Sequence, residues 1–158
     1  MDKNKAVIDY LLTCDYIKNS PLFYNFGEAK SDNKQFITHA DDKRVDTSFI
    51  DGSVNKRYTF TIIDYKSVAY KAIPRREGAS DENLDNALDV QQVIDWITEQ
   101  EEDRNYPNFG EDCSIQQIEA VTNQPNMSGV DKALTPALAK YSISIRIDYI
   151  DYSKVIWK

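Results

Sequence analysis

The residues with the most obvious chemical potential are a lone histidine and two nearby aspartates. His39 is the only histidine of the 158-residue chain, and Asp41 and Asp42 follow within three positions. An imidazole with two carboxylates can bind a metal ion or act as a base held by an acid. Neighbouring side chains on a strand point to opposite faces, so these three groups would not converge without help. We therefore expect an ordinary histidine at the end of a strand.

A second group of acidic residues is closely spaced, as a hydrolytic pair of carboxylates would be, but the sequence shows no cleft around it. It comprises Asp81, Glu82, Asp85 and Asp89. Paired carboxylates of the glycosidase type need a cleft and one partner with a raised pKa. A run of like charges is normally a solvated helix face, and we expect that here.

The remaining residue types give no catalytic motif. Cys14 and Cys113 have neither CxxC nor CxxH spacing, which favours two reduced, partly buried thiols. No serine lies in a GxSxG elbow, and the phosphate-binding patterns GxxxxGK[ST] and GxGxxG do not occur. We predict a protein that is not an enzyme, with no catalytic, cofactor-binding or metal-binding residues and no cofactor.

The charge balance argues against tight binding to nucleic acid. Nineteen basic and 26 acidic residues give a formal net charge of −7, whereas phosphate binding needs clustered Lys and Arg. An acidic lining would repel phosphate and let DNA pass without sticking. The start of the chain lacks the apolar core of a signal peptide, and no apolar run reaches the roughly 18 residues of a membrane span. We expect synthesis in the cytoplasm and no membrane contact.

The helices follow from the spacing of apolar residues. Residues 5–18 are predicted to be helical because Val7, Leu11 and Cys14 recur on one face, and Asp2 is the candidate cap. A second helix is predicted to begin after Ser80 or Asp81 and to run to about residue 102. Its acidic end opposes the helix dipole, so we expect fraying there.

The strands follow from alternation of β-branched or aromatic residues with polar ones. They are predicted over residues 35–40, 45–50, 54–70, 113–122 and 141–149. Asp51-Gly52-Ser53 is the turn of a hairpin, and a parity change between Ile115 and Ile118 predicts a bulge. Residues 22–26 are expected to be an apolar connection under the sheet, and residues 123–136 the longest loop.

This order of elements predicts an α+β fold with a mixed, mainly antiparallel sheet packed by two helices. The length favours one domain over residues 1–158.

Three segments together resemble a known family. After the N-terminal amphipathic helix come the arm RYTFTIIDYKSVAY, the helix NALDVQQVIDWITEQ and the closing strand KYSISIRIDYID. In this order, over nearly the whole chain, they resemble the small tail-terminator (tail-completion, head–tail joining) proteins of tailed bacteriophages and of prophages of Gram-positive hosts.

The resemblance implies a tail-terminator or tail-tube-like fold and a homo-hexameric ring. The ring would cap the tail tube, end its polymerisation and present a surface to the head-side connector or neck protein. DNA would pass through without specific binding, and the protein would lie in the virion, at the head-proximal end of the tail. The family has no catalytic residues to carry over.

Three surfaces are candidates for contacts between subunits or rings, because binding residues are disproportionately found on loops. They are the hairpin around Phe49, Ile50, Asp51 and Gly52, the polar loop over residues 71–83 with Arg75 and Arg76, and the loop over residues 123–136 with Asn123, Gln124, Pro125, Asn126 and Met127.

Other functions remain open. A different part of a virion or injection system, such as a tube protein or neck adaptor, would keep the same fold, and a tube protein would polymerise alone. A small-molecule-binding regulatory domain would have a closed apolar pocket with convergent polar groups. A hydrolase that uses His39 is the last alternative.

Overall fold

Three helices and six strands are present in the part of the chain that the structure describes. This structure is a computed structural model, and it describes residues 2–19, 21–25, 33–38, 48–67, 82–122, 125–131 and 138–155. The elements are α1 (Lys3–Leu11), α2 (Asp15–Lys18), β1 (Leu22–Tyr24), β2 (Lys34–Thr38), β3 (Val54–Ser67), α3 (Glu82–Glu102), β4 (Cys113–Ala120), β5 (Asn126–Asp131) and β6 (Leu138–Asp151).

All six strands form one mixed sheet in the order β1-β2-β3-β6-β4, and β5 also pairs with β6. Only the β1–β2 pair is parallel, so the predicted α+β fold with a mainly antiparallel sheet is confirmed. At the centre, the two 14-residue strands β3 and β6 pair over their full length, from Val54 opposite Asp151 to Ser67 opposite Leu138. β4 and β5 lie end to end along the other side of β6.

The predicted alternation in β6 decides which face of the sheet is buried. Ile143, Ile145 and Ile147 are almost fully buried, whereas Ser144 and Arg146 between them are half-buried. The buried side chains of β2, β3, β4 and β6 join those of all three helices in one hydrophobic cluster. The helices therefore cover one face of the sheet, and polar residues such as Thr61, Ser144 and Arg146 lie on the opposite face.

The first predicted helix is interrupted, which corrects the expectation of two helices packed on the sheet. Asp2 caps α1 as predicted, because its carboxylate accepts hydrogen bonds from the backbone N–H groups of Asn4 and Lys5. The backbone is extended at Cys14 (ψ 124°), and α2 begins after it. The break lets both Cys14 and Ile17 reach the core.

The acidic end of α3 does not fray in the structure; it closes in an ordered turn. Arg104 adopts a positive φ of +52°. Its N–H donates to Glu101 O at 3.1 Å, and Asn105 N–H donates to Gln100 O at 2.9 Å. These two bonds form a Schellman motif, which satisfies carbonyl groups at the helix end. The unfavourable dipole contribution is thus outweighed by local hydrogen bonding and by contacts of the Glu101 side chain.

Two segments predicted to be irregular are strands. Residues 22–24 do not pack under the sheet; they form its β1 edge, parallel to β2. The predicted loop over residues 123–136 contains β5, which pairs with β6 from Asn126 opposite Ser142 to Asp131 opposite Leu138. The bulge predicted in β4 is confirmed, with a register shift between Ile115 and Gln117. The part of the predicted strand over residues 45–50 that precedes Ser48 lies outside the described residues. The remainder is not a strand: Ser48 makes an isolated bridge with Val54, and Phe49 and Ile50 belong to the turn that follows.

Of the helices in the described ranges, none has the length and apolar character needed to span a lipid bilayer.

Because one face of β6 is buried and the other is half-buried, we expect two isoleucines of this strand to differ in their contribution to stability. Ile145→Ala removes a fully buried side chain and should lower the free energy of unfolding by about 2–5 kcal/mol, because a cavity remains. Ile150→Ala, at a half-buried position on the opposite face, should cost less than about 1 kcal/mol. Urea unfolding of both variants measures the difference, and equal losses would contradict the assignment of the faces.

Candidate functional site

The predicted turn before β3 is built by a dense set of local hydrogen bonds. Phe49 N–H donates to Ser53 O at 2.8 Å, and Gly52 N–H donates to Phe49 O at 3.0 Å. The Asp51 carboxylate accepts from Ser53 N–H at 2.9 Å and from Ser53 Oγ at 2.7 Å. An antiparallel bridge between Ser48 and Val54 closes the base. These bonds fix the turn as one unit.

The turn also packs against the segment that follows β6. Gly52 has φ +94°, and an added Cβ would lie 2.5 Å from Lys154 O, a backbone atom. Glycine is therefore required twice at this position, for its left-handed backbone and for the close approach of the neighbouring chain. The segment is itself anchored, because Tyr152 N–H donates to Asp112 O at 2.7 Å.

Two ionised carboxylates support this region. Hydrogen bonds from Ser53, first from its hydroxyl and then from its backbone, lower the pKa of Asp51. Burial acts against ionisation of Asp151, but hydrogen bonds from Lys56 and Ser153 outweigh it and hold the pKa of Asp151 well below its usual range. The Lys56 Nζ to Asp151 Oδ2 distance is 2.8 Å. Both carboxylates are therefore charged at neutral pH, and each fixes a turn.

The turn exposes two apolar side chains. Ile50 is 98% exposed and Phe49 is 43% exposed. A groove of about 360 Å³ lies beside them, lined in part by Phe49, Arg57, Tyr149 and Ile150. A fully exposed isoleucine on a rigid turn gains nothing for the fold of its own chain. This arrangement fits a contact with another molecule, since buried apolar side chains provide the anchors of protein interfaces.

The other predicted surfaces are only partly described. In the third surface, Pro125 is half-buried beside β5, and Asn126 and Met127 belong to that strand, so they are not in a loop. Asn123 and Gln124 lie outside the described residues, as do Arg75 and Arg76 of the second surface.

The residues considered for catalysis are not brought together by anything described. His39, Asp41, Asp42 and Asp81 lie outside the described residues. Asp85 and Asp89 are exposed on α3, as expected of a solvated helix face. Within the described ranges, no group of three or more His, Cys, Asp and Glu side chains could hold a metal ion.

The sequence analysis missed a buried cluster of charged side chains at the end of β3. Lys34 Nζ lies 3.7 Å from Asp64 Oδ1, and Lys66 Nζ lies 3.8 Å from Asp64 Oδ2. All three side chains are at most 9% exposed. Lys66 Nζ is also 3.7 Å from Asp89 Oδ2 on α3. The cluster therefore joins β2, β3 and the helix through compensating charges.

A signal for this cluster was present in the sequence. Asp64 and Lys66 continue the two-residue period of Phe60 and Ile62, so they point to the same face as the core. Lys34 lies directly opposite Asp64 in the sheet. Only this pairing shows that a cation is available to compensate the buried carboxylate.

The opposite face of the sheet is polar, and its charges are paired. Arg57 Nε lies 2.8 Å from Asp148 Oδ1 on the neighbouring strand. Arg146 pairs with Glu119 in the same way across β6 and β4. Further along the same face, the hydroxyls of Thr61 and Ser144 lie 3.2 Å apart. This part of the face has no net charge, in contrast to the acidic chain as a whole.

A further groove lies between α1 and residues 105–108 and has a volume of about 490 Å³. Tyr10, Tyr106 and Pro107 are among the residues that line it. Tyr10 OH donates to Asn105 O at 2.9 Å, and burial, followed by electrostatic interaction with Tyr106, Cys14 and Glu101, raises the pKa of Tyr10. Tyr10 thus stays a neutral hydrogen-bond donor, and it acts as a structural link across the groove.

Gly52→Ala tests the construction of the turn. It should lower the free energy of unfolding by about 1–3 kcal/mol, because alanine at positive φ is strained and its Cβ meets Lys154 O. Thermal and urea unfolding measure the loss. Gly110→Ala, at a similar φ of +97° in another turn, is the matched control for backbone strain. A Gly52→Ala variant as stable as wild type would show that the turn is not packed as described.

Asp64→Asn and Asp89→Asn together test the buried cluster. Asp64→Asn removes the buried negative charge that lies near both Lys34 and Lys66, and should cost about 3–5 kcal/mol. The side chain of Asp89 is 59% exposed, so Asp89→Asn should cost at most about 1 kcal/mol. Both are measured by urea unfolding at neutral pH. Similar small losses for the two variants would show that Asp64 is hydrated.

Comparison with known proteins assigns the chain to no family. No protein-family model matches the chain, and no curated protein matches it.

Proposed function

We propose that this protein is a non-enzymatic structural subunit of a tailed phage or prophage. It forms a ring, hexameric by the resemblance, that caps the tail tube, ends tube polymerisation and joins the tail to the head-side connector. The order and pattern of RYTFTIIDYKSVAY, NALDVQQVIDWITEQ and KYSISIRIDYID support the family. The α+β fold with a mainly antiparallel sheet is compatible with it.

The observation that carries the proposal is the rigid turn with its exposed apolar tip. Ile50 and Phe49 are held outward by the bonds around Asp51 and Gly52. A neighbouring molecule that covers such a tip would bury its apolar surface, and each buried methylene contributes about 0.8 kcal/mol. One tip per subunit, docked on a different surface of the next copy, is a head-to-tail contact of the kind that closes into a ring.

The net charge of the chain should make the assembly of such a ring depend on ionic strength. Six copies would carry a formal charge of −42, six times −7. Repulsion between the subunits should weaken assembly at low ionic strength, and added salt or divalent cations should strengthen it by screening. The same negative charge supports passage of DNA through the ring without specific binding, since phosphate is repelled.

The contribution of the tip can be measured on the purified protein. Ile50→Asp should shift the assembly towards monomers in sedimentation velocity, because a charge would have to be buried at the contact. Leu88→Asp is the matched control, since Leu88 is also an exposed aliphatic residue, 56% exposed on α3. Identical sedimentation of Ile50→Asp and wild type, under conditions where wild type assembles, would remove the tip from the interface.

The function itself is tested in particles. Electron microscopy of particles from a host whose prophage lacks this gene should show over-long or headless tails, restored when the wild-type protein is supplied. Complementation with Ile50→Asp should fail, and complementation with Leu88→Asp should succeed. Normal infectious particles without the gene would reject the virion role. Filaments formed by the pure protein alone would instead favour a tube protein.

A further inference from the structure

Strand β4 is the outermost strand on its side of the sheet described here. An edge strand presents backbone N–H and C=O groups that can pair with a strand of another molecule. Proteins that must not extend their sheets protect such edges with bulges and with charged side chains. β4 has such a bulge, between Ile115 and Gln117. Side chains beside the bulge can add to the protection of the edge.

The edge beside the bulge is occupied by side chains of the same molecule. Ile118 lies opposite Ile147 in the sheet, yet its N–H donates to Glu101 Oε2, at 2.8 Å. Tyr106 OH donates to the same carboxylate oxygen at 2.9 Å and lies 3.5 Å from Gln116 O. Glu101 and Tyr106 therefore lie where the backbone of an additional strand would pass.

The position of these two side chains is fixed by the fold. Glu101 is in the last turn of α3, and Tyr106 follows the Schellman motif that ends the helix. Pro107 and Phe109, which come next, are buried. A carboxylate that accepts from both a backbone N–H and a phenol forms strong, charge-assisted hydrogen bonds. The contact is thus built from groups that the helix end orients together.

We infer that Glu101 is an autoinhibitory contact at the β4 edge. Its carboxylate supplies, at the N–H of Ile118, the acceptor that a carbonyl from a strand of a second copy would otherwise supply. While the contact is made, the N–H of Ile118 is not available to a further strand, and pairing past this part of β4 is opposed. When the contact is removed, the edge is able to pair with a second copy through backbone hydrogen bonds, which require no particular side chains. This inference is independent of the proposed ring.

Three variants separate this role from a general effect of charge. Glu101→Ala removes the acceptor and should raise the self-association constant about tenfold or more, because a hydrogen bond to a charged group is lost. Glu101→Gln keeps an acceptor oxygen and should stay close to wild type. Glu102→Ala removes the same charge from the neighbouring exposed position and should also leave association unchanged.

The measurement is sedimentation velocity over a range of protein concentrations. All variants are made with Ile50→Asp, so that association through the tip does not obscure association through the edge. The inference is overturned if Glu101→Ala associates no more than Glu102→Ala while near-ultraviolet circular dichroism shows a native fold. If the particles described above prove normal without the gene, the ring is rejected but this result still stands.

A second measurement uses the wild-type protein alone, in case Glu101→Ala does not fold. The Ile118 amide should exchange with solvent deuterium at least about tenfold more slowly than an open edge amide, because it is bonded to Glu101. Hydrogen exchange followed by nuclear magnetic resonance measures this rate. Exchange of Ile118 as fast as that of a solvent-exposed amide would show that the contact is not maintained, and would overturn the inference.

Discussion

The pairing of β3 with β6 is the interaction on which the rest of the structure depends. Its 14 residue pairs run from Val54 opposite Asp151 to Ser67 opposite Leu138, a ladder about 48 Å long at strand spacing. The two strands are separated in the chain by α3, β4 and β5. The centre of the sheet therefore forms only when the last strand is in place. β2 pairs with β3, β4 and β5 pair with β6, and β1 adds to β2.

The register of that pair also determines the chemistry of both faces. Phe60 opposite Ile145 and Ile62 opposite Ile143 build the core under the helices. A shift by one residue would bring the polar residues of β6 under the helices. The same register carries Asp64 to the buried face, where Lys34 and Lys66 compensate its charge. The charged cluster is thus a consequence of extending the strands beyond the apolar core, and it contacts α3 through Asp89.

The turn before β3 and the edge strand β4 differ in the contacts that they can make with other molecules. At one end of the β3–β6 ladder, the turn holds Ile50 outward, with Gly52 against the backbone of Lys154. At the β4 edge, Glu101 accepts from Ile118 and makes the backbone less available. An open apolar tip together with a protected edge favours contacts of defined geometry over indefinite growth of the sheet. That combination is compatible with the proposed role of a subunit that closes an assembly.

Local signals in the sequence predicted the elements whose pattern is strong. The alternation of Tyr141 to Tyr149 and the Asp51-Gly52-Ser53 turn both form as expected. The bulge in β4 was visible as a change of parity. In these cases the residues that define the local pattern also form the strand or turn, so the sequence alone determined the secondary structure.

Partners that are distant in sequence decided the rest. The segment from Asn126 to Asp131 has turn-forming residues around it, but β6 offers an edge that β4 is too short to cover, and β5 satisfies the hydrogen bonds of that edge. Leu22 to Tyr24 is a strand only because β2 lies beside it. Likewise, the role of Glu101 depends on Ile118, which is 17 residues away. The sequence by itself determined which segments are helical, which alternate and where the chain turns; the tertiary structure decided which strands pair and which charges meet, because those depend on backbone and side-chain partners that no local pattern contains.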